Sequence, residues 1–367
     1  MTKICPNKMR FEKANETLKR RKADYLLITQ SASVRYFCGF VSSNAALLYS
    51  PNERFLFTDS RYKTSAQNFC EAQGWKFIEA KQSEFAKKIS KILKKGSKLL
   101  FQDNYLSVAE FERYQKDFKA LRIKFISGGG EIDGLFCVKT DEELNFMEQA
   151  AQIADKSSEK WLKKLRAGIS EFEAARLLDV ITLQNGSEKT AFDTIVLFGE
   201  NCALPHGVPS KKRLLRNGDF ILYDFGCVVE GFCSDMTRTV CFGEAKSEDR
   251  NIYEAVLDAQ KKGLAAVKAG VKAKDIDKVV RDSVKEAGFG EYFKHATGHS
   301  IGLCVHENPS VNGKNESVLQ SGTVITVEPG IYIPDRVGVR IEDTVVVQDK
   351  DCKIITNTAK DFICIKT

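Results

Sequence analysis

Ser127 is followed by three glycines, Gly128 to Gly130, and the periodicity of the chain changes there. Before that point six short β-type runs, at 24–29, 44–50, 54–59, 76–80, 98–103 and 122–127, alternate with helical patterns. Such alternation predicts an α/β domain. Beyond it, helical periodicity at about 141–166 and 170–185 precedes β-type runs at 193–199, 219–225 and 232–241. Helices at about 248–269 and 273–287 then precede β-type runs at 323–328 and 340–348. Two helix-helix-strand-strand units in tandem are predicted. At 367 residues the chain has room for roughly two domains: an N-terminal α/β domain over 1–127, a flexible glycine linker over 128–134, and a second α/β (α+β) domain over 135–367.

The two parts differ in charge. Residues 1–130 carry 25 Lys and Arg against 12 Asp and Glu, and the rest of the chain 31 against 37. Basic residues in the first part are interspersed with apolar periodicity rather than gathered into a stripe between aromatics, so no nucleic-acid partner is expected. In EFAKKISKILKK (84–95), Phe85, Ile89, Ile92 and Leu93 share one helical face, the pattern of a surface helix rather than of a membrane-lying one. No apolar run is long enough to cross a bilayer, and MTKICPNKMRFEKANE lacks the apolar core of a leader. Eleven scattered cysteines, none in a C-x-x-C pair, fit a reducing compartment. A soluble cytoplasmic protein with no membrane partner is the expectation.

The chemistry lies in acids placed where strands should be apolar. DFILYDFGCVVEGFCSDMTRTV (219–240) holds Asp224 on the outgoing strand and Asp235 on the returning one. A turn centred between Val229 and Glu230 pairs them directly, with β-carbons about 5 Å apart. Like charges that close drive one carboxyl neutral unless a cation compensates. TVITVEPGIYI (323–333) and GVRIEDTVVV (338–347) repeat the arrangement with Glu328 and Glu342. Between the hairpins, HATGHSIGLCVHE (295–307) holds three of the four histidines, and the fourth, His206, lies in NCALPHGVPS. Two aspartates, two glutamates and an imidazole suit two hard or borderline divalent ions, Mn²⁺, Co²⁺ or Zn²⁺. Such a pair about 3.5–4 Å apart activates water for hydrolysis. Each residue also has a simpler reading. Asp224 and Glu328 can be turn acids, Asp235 can pair with Arg238, Glu342 can pair with Arg340, and His295 can be a hydrogen-bonded structural group. Gly298 and the lack of H-E-x-x-H argue against a helical zinc pair at His295 and His299.

In order along the chain, DTIVLFGENCALPHG, DFG with GFCSDMTRTV, TGHSIGLCVHE, TVEPGIYI and VRIEDT resemble the motifs of the pita-bread metallopeptidases, family M24. The likeness is closest to the Xaa-Pro aminopeptidase and prolidase branch and covers residues 131–367. The first part, with SVRYFCGF (33–40), resembles the creatinase-like N-terminal domain of that branch. The resemblance implies a pita-bread catalytic domain of pseudo-twofold αα-ββ units. It implies Asp224, Asp235, His299, Glu328 and Glu342 as ligands of two metal ions, Mn²⁺ foremost, with Asp235 and Glu342 bridging. It places His206 and His306 at the substrate, and His295 and Arg340 near the site. Ser300 departs from the glycine of many relatives, but no ligand is missing.

The implied reaction is hydrolysis of the bond before a proline at the second position. A metal-bridging hydroxide attacks the carbonyl, His206 or His306 steadies the oxyanion, and Glu328 carries the proton to the prolyl nitrogen. An aminopeptidase is favoured over a dipeptidase, because the latter needs an arginine for the free carboxylate and Arg340 looks committed to the metal ligands. A homodimer is implied, with the basic part bordering the entrance to the acidic site. The rivals are prolidase, a creatinase-like C–N hydrolase, and a non-catalytic binding protein on the same fold.

Overall fold

A computed structural model describes residues 8–365. Residues 1–7, part of the segment read above for a leader, lie outside the described residues. The chain divides into two compact units, Met1–Phe136 and Cys137–Thr367.

The six β-type runs of the first unit form one sheet. Its strand order is Lys76–Glu79, Arg54–Thr58, Ala45–Tyr49, Tyr25–Ile28, Lys98–Phe101 and Lys124–Ser127. Ala45–Tyr49 runs against the other five, which are mutually parallel. Tyr25–Ile28 and Ala45–Tyr49 are buried at every position, as strands covered on both faces must be. The lysine-rich segment differs from the long surface helix expected. Only Phe85–Ile89 is α-helical, and the chain then tightens into turns. Phe85, Ala86, Ile89 and Leu93 reach the core of their own unit, which leaves no apolar face for a membrane.

The glycine run is also corrected. Gly129–Asp133 is a helical turn, and the N–H groups of Gly128 and Gly129 donate to Asp103 Oδ1 at 3.1 and 2.7 Å. A β-carbon on Gly128 would lie 2.3 Å from Leu100 Cδ1, and one on Gly129 2.0 Å from Asn104 Oδ1. These glycines permit close packing rather than flexibility.

In the second unit the helix-helix-strand order occurs twice. Helices Asp141–Leu162 and Glu171–Gln184 precede a sheet ordered Cys364–Ile365, Met236–Phe242, Phe220–Phe225, Ile195–Phe198. Helices Ser247–Ala266 and Ala273–Glu286 precede a sheet ordered Glu307–Val311, Gly298–Ser300, Val324–Val327, Asp343–Val347, Cys352–Ile354. The first pair starts on reciprocal caps, Thr140 with Glu143 and Ser170 with Glu173. The second pair starts after Lys246 and Lys272, which make no side-chain cap; burial of Ile252, Val256, Ile276 and Val280 carries those helices instead. The ten cysteines among the described residues are free thiols. No helix there is long and apolar enough to cross a membrane.

Candidate metal centre

Strands Phe220–Phe225 and Met236–Phe242 are antiparallel, with Thr237, not Asp235, opposite Asp224. The sequence reading of a directly opposed aspartate pair is therefore wrong by one turn position. Glu230 and Gly231 have φ of 46° and 71°, the two positive values of the tight hairpin turn that matches strand twist. The turn is thus centred between these two residues, one later than expected. Asp235 consequently stands two residues along from the position opposite Asp224. Side chains alternate with a period of two, so a displacement of two keeps both acids on the same face. The ladder breaks between them at Gly226, where a β-carbon would lie 2.0 Å from Ser234 O.

Direct opposition occurs in the second hairpin. Val327 pairs with Asp343, and Gly330 with Arg340, which leaves Glu328 and Glu342 facing each other at the interruption. The hairpins are bonded together: Glu342 N donates to Thr237 O at 3.1 Å, and Thr237 Oγ1 to Glu342 Oε2 at 2.8 Å. His299 comes from the neighbouring strand Gly298–Ser300, its N–H bonded to Thr326 Oγ1 at 3.0 Å. Thr326 Oγ1 in turn lies 3.2 Å from Glu328 Oε1.

His299 Nδ1 lies 3.1 Å from Ser300 O, so this nitrogen carries the proton and Nε2 presents a lone pair. That lone pair lies 3.6 Å from Asp235 Oδ2 and 3.5 Å from Glu328 Oε1. Burial, then the charge of His306, pushes the imidazole down to about 4, so at neutral pH it is uncharged and offers Nε2 as an acceptor. Ligating atoms of Asp235, His299 and Glu342 all lie within 4.8 Å of one another.

The carboxyls carry the same strain. Burial, with Glu342 next, raises Asp235 well above the usual range; burial, with Glu328 next, does the same to Glu342. Burial lifts Glu328 to about 8 against the pull of Arg340. Asp224 has its Oδ2 held by Arg340 Nη2 at 2.6 Å, whereas its buried Oδ1 has no hydrogen-bond partner. An orphaned buried oxygen, crowded carboxylates and an oriented imidazole fit divalent cations. The ion-pair alternatives for Asp235 and Glu342 do not hold. Arg238 bonds Asp343 at 2.8 Å, and Arg340 bonds Asp224.

The other histidines gather nearby. His306 is exposed, its ring centroid 4.4 Å from that of His299. His206 is exposed on the loop after Gly199–Ala203, close enough to His295 to act on it electrostatically. His295 Nε2 meets Tyr332 OH at 2.8 Å, and Arg340 Nη1 donates to the same hydroxyl at 2.9 Å. Sequence reasoning missed Thr237, Thr326 and Tyr332. For the two threonines the available signal was a hydroxyl two residues from an acid in an otherwise apolar strand, Thr237 after Asp235 and Thr326 before Glu328; Tyr332 carried no such signal.

Comparison with known proteins agrees with this architecture. Residues 145–349 match the model of metallopeptidase family M24, and residues 10–135 that of the creatinase/prolidase N-terminal domain. The chain is similar to an Xaa-Pro dipeptidase from Pyrococcus furiosus, at 36% identity over 365 residues, covering 97% of this chain and 100% of the relative. Among solved structures it resembles an Xaa-Pro dipeptidase from Bacillus anthracis, with TM-score 0.89 and 35% identity, covering 97% of this chain and 99% of that one. It resembles an X-Pro aminopeptidase from Thermotoga maritima at the same identity and coverage, with TM-score 0.86.

Proposed function

From the premise that the chain belongs to metallopeptidase family M24, a hydrolase of the prolidase and X-Pro peptidase type on the pita-bread fold, we propose that it is an Xaa-Pro aminopeptidase. Asp224, Asp235, His299, Glu328 and Glu342 hold two divalent ions, Mn²⁺ by preference and otherwise Co²⁺ or Zn²⁺. The convergence of Asp235, His299 and Glu342 supports this most directly. When bound, the ions polarise the scissile carbonyl and lower the pKa of water.

The protein's own groups do the rest. Glu328 moves a proton to the leaving prolyl nitrogen. His306 and His206, exposed beside the cluster, meet the peptide and donate to the carbonyl oxygen as it gains charge. His295 and Arg340 support the ligands through Tyr332 and Asp224. A prolyl nitrogen in a peptide has no N–H, so recognition rests on the shape of the ring.

The aminopeptidase reading rests on Arg340. Its guanidinium is committed to Thr237 Oγ1, Pro205 O, Tyr332 OH and Asp224 Oδ2 at 2.6–3.1 Å, which leaves it unsuited to clamp the carboxylate of a dipeptide. The names of the dipeptidase relatives favour the second reading, prolidase. A panel of Xaa-Pro dipeptides and Xaa-Pro-Yaa peptides, assayed with Mn²⁺, Co²⁺ and Zn²⁺, separates the two. Cleavage of Ala-Pro-Ala at least as fast as of Ala-Pro is expected; cleavage of dipeptides alone establishes the prolidase.

A further inference from the structure

The loop bearing His206 leaves its sheet at Phe198, and its two ends, Phe198 and Ser210, close on one carboxylate outside the metal centre. Glu171, the first residue of helix Glu171–Gln184, is fully buried. Its Oε1 accepts from Phe198 N at 2.7 Å and Asn201 Nδ2 at 3.0 Å. Its Oε2 accepts from Ser210 N at 2.8 Å and Asn201 Nδ2 at 3.2 Å. Phe172 N donates to Ser210 O at 3.2 Å in the same turn. Burial raises the Glu171 carboxyl while these N–H donors oppose the rise.

The middle of the loop is braced separately. A β-carbon on Gly338 would lie 1.8 Å from Cys202 O, so two backbones touch there. Arg340 Nη1 holds Pro205 O at 3.1 Å. Leu204, His206 and Val208 are left exposed at the tip. The proposed reaction gives Glu171 no part, yet holding the loop in one conformation has an entropic cost that contacts at its ends must meet.

We propose that Glu171 is a positioning residue that fixes the 199–209 loop so that His206 meets the substrate carbonyl, an inference that rests on the substrate-contacting role given to His206 above. Each Glu171 oxygen faces a main-chain N–H, one at either end of the loop. Glutamine has the same shape but turns one oxygen into a donor, so Glu171→Gln must release one end.

The test is a double-mutant cycle on the metal-loaded enzyme with an Xaa-Pro peptide, comparing wild type, Glu171→Gln, His206→Ala and the double variant. Misplacing a reacting group by about 1 Å costs up to about 10²-fold in rate, so Glu171→Gln should lower kcat about 10- to 100-fold at unchanged metal content. Amide exchange should quicken across 199–210 but not across Met236–Phe242. In the His206→Ala background the same change should cost no more than about twofold. An equal loss with and without His206, or wild-type kcat in Glu171→Gln, overturns the inference. Wild-type kinetics in His206→Ala alone overturn the role of His206, and the positioning role with it, and are read from that single variant. Should Glu171→Gln fail to fold, Asn201→Ala removes two of the same contacts and must show the same dependence on His206, with a smaller loss.

Discussion

Asp235 is only 4% exposed and shares its surroundings with Glu342, Glu328 and Asp224, all of which oppose its ionisation. Its removal should therefore have opposite effects on activity and on the metal-free fold. Asp235→Asn should abolish metal-dependent hydrolysis, by about 10³-fold or more given the several kcal/mol that such ions supply. In chelator at pH 7, however, urea should unfold it at a higher concentration than the wild type, because the cost of burying an acid among like-charged neighbours, whether as repulsion or as proton uptake, is gone. Full activity in this variant would sink the metal mechanism. His206→Ala and His306→Ala should instead lower kcat by about 10²–10³-fold while metal analysis shows normal loading; a metal-free preparation would make that histidine a ligand. His295 supplies a pH signature. Burial, then Arg340, pushes it down to about 4, from an unfolded value of about 6.5. The unfolded chain thus takes a proton that the native state refuses, and stability from this group is full above about 6.5 and lost progressively toward 4, at up to about 1.4 kcal/mol per pH unit. Between pH 7 and 5 the metal-free wild type should lose more unfolding free energy than His295→Gln. Equal losses would show that His295 does not titrate this way. At this scale the acids and histidines were legible because they interrupt apolar runs. Thr237 and Tyr332 were not, because a threonine or tyrosine is an ordinary strand residue until its hydroxyl is seen to meet Glu342 or Arg340.

Between strands, what the sequence concealed was register. Alternation of apolar residues reveals a strand and its inward face, but the pairing depends on where the turn sits, and Glu230 at φ 46° is a residue seldom found there. A one-residue error in the turn centre moved the expected partner of Asp224 from Thr237 to Asp235, yet parity kept the right residues on the right face. The glycine run deceived for a related reason: composition cannot separate a flexible glycine from one that lets Leu100 or Asn104 approach. A buried ion pair joins the two sheets of the second unit beside the metal centre, Arg238 on Met236–Phe242 with Asp343 on Asp343–Val347. Gln260, Thr356 and Lys360 also bond Asp343. Breaking one partner of such a pair strands the other charge, at a typical cost of about 3–5 kcal/mol. Asp343→Ala should show that loss in denaturant unfolding of the metal-free protein, so that metal content need not enter; a loss under about 1 kcal/mol would mean that the pair is solvated.

For the whole molecule, the family resemblance supplies the expectation of a dimer and the charge division a modest physical reason for it. We propose a homodimer, to which the excess of 25 basic over 12 acidic residues in 1–130, against 31 and 37 in the remainder, contributes a long-range attraction that salt screens. Light scattering at micromolar concentration should report two chains, with weaker association in high salt; a fully active monomer would refute it. Chain topology also sets an order of events in time. Asp235 belongs to the first hairpin and Glu342 to the second, and Thr237, which bonds Glu342, precedes it by 105 residues. At the usual 5–20 residues per second of synthesis, roughly 5–20 s separate their appearance. A nascent chain that has completed its first unit and its first hairpin still lacks half of the carboxylates. On the proposed ligand set, then, the full site forms only after the second hairpin has emerged, so an ion held by all four carboxylates would follow the first hairpin rather than nucleate it, and the choice among competing metals would fall after that point.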